Sequence, residues 1–239
     1  MKTYSIKDGY EHRTVNITLE TEPGDYFTPS RIRNGRYLQV HPYLEAARLM
    51  RREGLESVLD VGCGTACKLV AHLEPVAARS VGVDQKTVID LAHKLYPQAR
   101  SRFVETDLEQ PGETDLGTFD LVVSIDVIEH LLDPDVLLDF IRDHCHRESW
   151  VVFSTPERDV RRGPDNMKSP RKVHIREWNQ RELRRYLESS GFEVVRQALL
   201  PAFRVGFSPR MLRERLRLVR KRISHRYNQL AVCRLGANA

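Results

Sequence analysis

Long hydrophobic runs are missing from this 239-residue chain, and no apolar stretch approaches the length needed to span a bilayer. Cysteine is scarce. Cys63, Cys67, Cys145 and Cys233 form no spaced disulfide framework, so reduced thiols in a cytoplasmic protein are the expectation. Met1 to Arg13 carry no apolar signal core. There is no internal repeat and no low-complexity tract, which excludes solenoid and array architectures. A broad basic surface is also missing from most of the chain. The formal charge is +5, but from Arg210 onward nine Arg and Lys face the single acid Glu214, so residues 1–209 carry −3. A body with that balance argues against a wide nucleic-acid footprint.

What is present is organised around Val58 to Leu69. Val58, Leu59 and Val61 suit a buried strand, while Gly62 and Gly64 let the backbone turn sharply and approach a ligand. A helix start follows, which points free N–H groups at that ligand. A dinucleotide-binding turn uses the same physics with a three-glycine spacing that this chain does not keep, since no glycine follows Gly64 at Ala66 or Cys67. Asp60 closes the strand, where a pyrophosphate would be repelled and a cationic amino group welcomed. The cysteines Cys63 and Cys67 fall in a turn committed to that task, not to a metal.

Pro42 opens a helix that places Tyr43, Ala46, Ala47 and Met50 on one face, and Gly54 ends it. After the glycine turn come strands at Ser80 to Asp84, Arg102 to Asp107, Phe119 to Asp126 and Ser149 to Thr155, separated by helices from Thr87 to Tyr96 and from Pro134. Near-continuous apolar strands alternating with helices predict an α/β fold, with a mostly parallel sheet covered on both faces. Ligands of such sheets lie beyond the carboxyl ends of the strands. The first four strands each end in an aspartate, Asp60, Asp84, Asp107 and Asp126. One would be an ordinary turn residue; four in succession describe a site. Asn179 and Glu182 cap a further helix, Phe192 to Leu199 is a strand, and Asn228 to Leu235 is the last one.

This order of motifs, over roughly residues 40–200, resembles the class I S-adenosylmethionine-dependent methyltransferases. The resemblance implies a Rossmann-like seven-stranded sheet over residues 41–239, with residues 1–40 as a lid or packed arm anchored by Tyr26, Phe27 and Tyr37. By matching position it implies that Asp60, Gly62 and Gly64 cradle the methionine part of S-adenosylmethionine, and that Asp84 holds the ribose hydroxyls. Asp107 and Leu108 would meet the adenine, and Ile125 and Asp126 the substrate end of the cofactor.

A second constellation is Asp126-Val-Ile-Glu129-His130 with His174 further on. A helical turn starting at Asp126 would bring Glu129 and His130 to its own face. With His174 these groups would hold a divalent ion such as Mg²⁺, or act without metal, with His130 or His174 contacting substrate or serving as base. The pattern resembles the ubiquinone-pathway O-methyltransferases and, with the later histidine, the small-RNA 3′-terminal ribose methyltransferases. Both act on hydroxyls. The long polar loop after Thr155, with Arg158, Arg161, Arg162, Lys168, Arg171 and Lys172, resembles bacterial methyltransferases that modify sugars, and its cations suit a phosphate. An O-methyltransferase of a sugar or glycan precursor is therefore expected. The rival acceptors are a quinone or catechol, for which Tyr26, Phe27 and Trp178 would supply an apolar wall, and an RNA 3′ end. A non-catalytic cofactor- or polyanion-binding protein is the rival of another class.

The basic helix 209–223 puts Leu212, Leu216, Val219 and Ile223 on one stripe. That stripe is expected to pack on the body or on a second subunit of a homodimer. Peripheral contact with an anionic membrane face is the alternative.

Overall fold

The computed structural model describes residues 3–16, 28–112, 114–203, 209–220 and 224–236. Its helices are α1 (Pro29–Gly35), α2 (Val40–Glu53), α3 (Lys86–Leu95), α4 (Pro134–Asp143), α5 (Arg158–Arg162), α6 (Gln180–Ser189) and α7 (Pro209–Arg220). The strands are β1 (Ser57–Val61), β2 (Arg79–Asp84), β3 (Arg102–Glu105), β4 (Phe119–Ile125), β5 (Cys145–Pro156), β6 (Phe192–Leu200) and β7 (Asn228–Leu235). They form one sheet of order β3-β2-β1-β4-β5-β7-β6, in which only β7 runs against its neighbours. The strand order reverses between β1 and β4, and the carboxyl ends of these two strands define the crevice where such sheets bind ligands.

Alternation along each strand explains why both faces are covered. Leu59 and Val61 of β1 and Val122 of β4 join the core on one face, with α4 and α6. Val58, Leu121 and Val123 join the core on the other, with α2. A strand with no polar face has to be buried on both sides. The expected α6 cap is present as a full capping box: Asn179 accepts the Glu182 N–H, and Glu182 returns to the Asn179 N–H. α2 begins two residues before Pro42 and ends at Gly54 in a left-handed conformation (φ 66°), whose N–H closes on the Met50 carbonyl.

Residues 3–16 lie against the body. Ile6 and Tyr10 are buried, the Tyr4 carbonyl accepts the Trp178 indole N–H at 2.9 Å, and the Tyr10 hydroxyl accepts the Glu177 N–H at 3.0 Å. Tyr26 and Phe27 lie outside the described residues. Trp178 is fully buried in the core, so it is not a wall for an apolar acceptor. The α7 stripe does not pack on the described body, the first of its two expected coverings. Leu212, Leu216 and Val219 are 58%, 52% and 67% exposed, so no described part of the body covers them; Ile223 lies outside the described residues. Among the described residues no helix is long and apolar enough to cross a membrane.

Candidate active site

The carboxyl ends of β1, β2 and β4 open into a cleft of about 350 Å³. Gly62, Gly64, Asp84, Asp107, Leu108, Ile125, Asp126, Glu129, His130 and His174 all line it. At the glycine turn, Gly64 has φ 58°, and a Cβ there would meet nothing within 4 Å. Its N–H donates to Asp84 Oδ2 at 2.8 Å, and the Gln85 N–H donates to Oδ1 at 2.8 Å. Each oxygen keeps a lone pair for a ligand hydroxyl. Asp107 Oδ1 accepts the Glu109 N–H at 2.9 Å, which fixes the carboxylate beside the buried Leu108. These groups fit a nucleoside: a polar strand end for the ribose, an apolar residue for the base, and backbone without side chains between them.

Asp60 is placed differently from expectation. It is completely buried and outside the cleft lining. Its two oxygens share the Tyr43 hydroxyl at 3.1 and 3.0 Å, and Tyr43 forms the wall. Burial pushes the carboxyl up to about 7, against the hydrogen bond from Tyr43 and the nearby Lys68 ammonium, which pull it down. Lys68 lies 5.4 Å over the Tyr43 ring and 3.3 Å from Gln39 Oε1.

Asp126 also corrects its expected role. Its backbone is left-handed (φ 55°), so no helical turn begins there; a 3₁₀ turn spans Ile128–His130 instead. The carboxylate accepts from Gln39 Nε2 at 2.6 Å, Ser154 Oγ at 3.0 Å and Asn228 Nδ2 at 3.1 Å. It is a hub that ties β4, β5, β7 and the start of α2 together, and it is not in the cluster of possible metal ligands. That cluster is Glu129, His130 and His174, whose ligand atoms lie within 4.8 Å of one another.

Each member of the cluster is held by a second group. Thr155 Oγ1 donates to Glu129 Oε2 at 2.8 Å. His130 Nδ1 is 2.7 Å from the Val173 carbonyl, which only accepts, so Nδ1 carries the proton; Nε2 is 3.9 Å from Glu129 Oε1. His174 Nδ1 is 2.7 Å from Glu177 Oε1, so Nε2 bears the lone pair in the neutral ring. The two imidazoles meet edge to face at 5.0 Å. Burial and the Asp126 charge push Glu129 well above the usual carboxylate range. Burial lowers His174 despite Glu177 beside it. Backbone bonds from Ile175 and Arg176 to the Glu129 carbonyl, at 2.8 and 3.4 Å, dock the two segments together.

The loop arginines divide. Arg158 is fully buried and forms a bidentate pair with Glu182 at 2.7 and 3.0 Å, so it is structural and unavailable to a phosphate. Arg161 and Arg171 line the cleft. Gln39, Tyr43, Glu177 and Asn228 are site residues that the sequence did not single out. Glu177 had a signal, since it stands three residues after His174. The others are joined to their aspartates only through the fold.

The methyltransferase domain family matches residues 31–197, more than half of the chain. A ubiquinone biosynthesis O-methyltransferase of Paraburkholderia xenovorans is 27% identical over 154 residues, covering 63% of this chain and 60% of that protein. The match thus spans about three-fifths of that relative's length. A crystal structure of an S-adenosylmethionine-dependent methyltransferase from Mesorhizobium loti superimposes with a TM-score of 0.59 at 20% identity, covering 81% of this chain and 97% of that one. The plantazolicin methyltransferase BpumL, in complex with a pentazolic desmethylPZN analogue and SAH, covers 93% of this chain and 95% of its own at a TM-score of 0.59 and 16% identity. With the sheet order and the cleft above, the match over residues 31–197 means that this chain belongs to the methyltransferase domain family, as a class I S-adenosylmethionine-dependent member.

Proposed function

We propose that this chain transfers a methyl group from S-adenosylmethionine to a hydroxyl of a sugar or glycan precursor. The observation that carries the reading is the Glu129, His130 and His174 cluster on the same cleft as Gly64 and Asp84. Gly64, Asp84, Asp107, Leu108 and the Ile125 backbone would hold the cofactor, with Asp60 acting through Tyr43. When bound, S-adenosylmethionine supplies a sulfonium methyl that is already electrophilic, so the protein has to align the acceptor and deprotonate it. His174 Nε2 takes the hydroxyl proton, and the Glu177 carboxylate at Nδ1 stabilises the resulting imidazolium. In the alternative with metal, Glu129, His130 and His174 would hold a divalent cation, and His174 would then give its Nε2 lone pair to the ion instead of the proton; one carboxylate and two imidazoles, each oriented by a further hydrogen bond, suit a first-row divalent ion better than Mg²⁺. Such an ion supplies positive charge that lowers the pKa of a hydroxyl.

The acceptor end favours a polar substrate. Arg161 and Arg171 line the cleft with His174, while Trp178 lies in the core. This disfavours a quinone. The exposed stripe of α7, flanked by the exposed Arg213, Arg217 and Arg220, supports peripheral contact with an anionic membrane surface.

Methyl transfer from labelled cofactor to a panel of nucleotide sugars, saccharides, catechols and short RNAs, with and without Mg²⁺, tests the proposal. Label is expected on a saccharide. Label confined to catechols or RNA would replace the acceptor class, and cofactor binding without label on any compound or cell extract would favour a binding protein.

A further inference from the structure

Five arginines stand between Arg158 and Arg176, and the fold treats them in two ways. Arg158 pairs with Glu182, Arg162 reaches Glu177 Oε2 at 3.5 Å, and Arg176 donates to the Leu131 and Leu132 carbonyls at 2.9 and 2.7 Å. Arg161 and Arg171 have no such partner among the described residues, and both line the cleft beside His174.

Arg161 is the more informative. It sits at the fourth position of α5, and its guanidinium is half-buried over the Tyr227 ring, 4.6 Å from its centroid, while Arg158 is buried in its pair with Glu182. An aromatic face compensates a cation only in part. Burial and the neighbouring Arg171 push Arg161 down to about 10. The two guanidinium groups are also near enough to His174 to favour its neutral form. The half-buried Arg161 and the exposed Arg171 crowd one wall, and Glu177, the carboxylate that acts on Arg161, is already engaged by His174, Ser169 and Arg162, so a further anion would relieve the repulsion.

The cofactor does not account for them. S-adenosylmethionine has one carboxylate and no phosphate, and Lys68, beside Tyr43 and Gln39, provides a cation at the glycine-turn end. The remaining part of the cleft belongs to the acceptor. Paired guanidinium forks match phosphate oxygens in number and charge.

We propose that Arg161 and Arg171 form a phosphate subsite for the acceptor, so that the substrate is a phosphorylated or pyrophosphate-linked saccharide whose hydroxyl meets His174. The hydroxyl and the saccharide rest on the function proposed above; the anion subsite does not. Phosphate attached to a nucleotide sugar and phosphate attached to a lipid carrier share this chemistry.

The test is calorimetric titration of inorganic pyrophosphate into the SAH-loaded full chain. R161Q and R171Q are each expected to weaken pyrophosphate binding by about tenfold, with SAH affinity retained, while K172Q, at an exposed residue outside the cleft lining, changes neither. R161K, which keeps the charge, should recover part of the loss and guards against misfolding of R161Q. Displacement of pyrophosphate by a soluble nucleoside diphosphate sugar would identify a nucleotide source, and displacement only by a lipid-linked diphosphate saccharide would identify a carrier. Wild-type protein that ignores millimolar pyrophosphate, or an R161Q/R171Q double variant that binds it normally, overturns the subsite. Arginine-dependent pyrophosphate binding without methylation of any saccharide would leave the subsite standing and remove the acceptor class.

Discussion

His174 Nδ1 and Glu177 Oε1 lie 2.7 Å apart inside a wall that excludes water from both. Ser169 Oγ also donates to Glu177 Oε1, at 3.0 Å. Although burial works against its charge, His174 and the nearby Arg162 and Arg161 hold the Glu177 carboxyl down to about 2. An ionised acceptor at Nδ1 fixes the tautomer and leaves the lone pair on Nε2.

Glu177→Gln should therefore keep cofactor affinity and lower turnover by about 10- to 100-fold, since an amide can orient the ring but not stabilise its charge. His174→Ala should cost more, about 100-fold or above. Paired measurements of SAH binding and single-turnover methyl transfer check both: wild-type turnover in Glu177→Gln would remove the Glu177 charge from the mechanism, and wild-type turnover in His174→Ala would remove the His174 base.

Asp60 gives the apoprotein a pH dependence of defined sign. Its folded pKa of about 7 lies above the ordinary aspartate value of 3.8, so the folded state binds the proton more tightly than the unfolded chain. The associated stability is fully present below the unfolded value and is lost as pH rises through about 7, by up to a few kcal/mol. Asp60→Asn can still accept from the Tyr43 hydroxyl but does not titrate. Its melting temperature relative to wild type should climb between about pH 5 and about pH 8. A constant difference across that range, by scanning calorimetry without cofactor, contradicts the assignment.

The two glycines of the turn should fail in different ways. Both have positive φ, 78° at Gly62 and 58° at Gly64. A Cβ on Gly62 would lie 2.3 Å from Val127 Cγ2, whereas one on Gly64 would point into open space. Gly62→Ala is expected to destabilise the fold well beyond the roughly 1–2 kcal/mol of left-handed strain. Gly64→Ala should incur only that strain but weaken SAH binding by about tenfold, because its methyl enters the cleft. Equal melting temperatures for the two variants would contradict this division.

These contrasts mark what the sequence could and could not reveal. Asp84 and Asp107 were legible because a buried strand followed by a turn residue fixes which end of the sheet the carboxylate occupies. Glu129, His130 and His174 were legible as residue types suited to one site, and the strand order brings them together. Asp126 does not start a helix, because aspartate serves equally as a helix cap and as one of the few non-glycine residues that adopt a left-handed φ, and the sequence alone does not choose between them. Its partners Gln39 and Asn228 lie 87 and 102 residues away. Tyr43 registered only as one apolar position of an amphipathic helix, since the periodicity that buries it is silent about its hydroxyl. The exposed α7 stripe has the spacing of a core-facing helix; periodicity identifies an apolar face but not what covers it.

The division between Asp126 and the Glu129, His130 and His174 cluster can be read directly with metal. Asp126 already accepts three hydrogen bonds from Gln39, Ser154 and Asn228, while Glu129 has one side-chain donor, Thr155. Asp126→Asn replaces one oxygen with an amide N–H that faces Gln39 on one side or Ser154 and Asn228 on the other, so it should destabilise the fold by about 1–3 kcal/mol while leaving divalent-ion affinity within about twofold. Glu129→Gln should do the reverse. Deleting a buried carboxylate already pushed above its usual range costs little stability, but removes the only anionic ligand of the cluster. Mn²⁺ titration followed by electron paramagnetic resonance, on protein stripped with chelator, measures the ion affinity, and chemical denaturation the stability. Mn²⁺ binding lost in Asp126→Asn and kept in Glu129→Gln would move the ion to Asp126. Full methyl transfer after rigorous chelation would leave the two histidines as the groups that activate the hydroxyl.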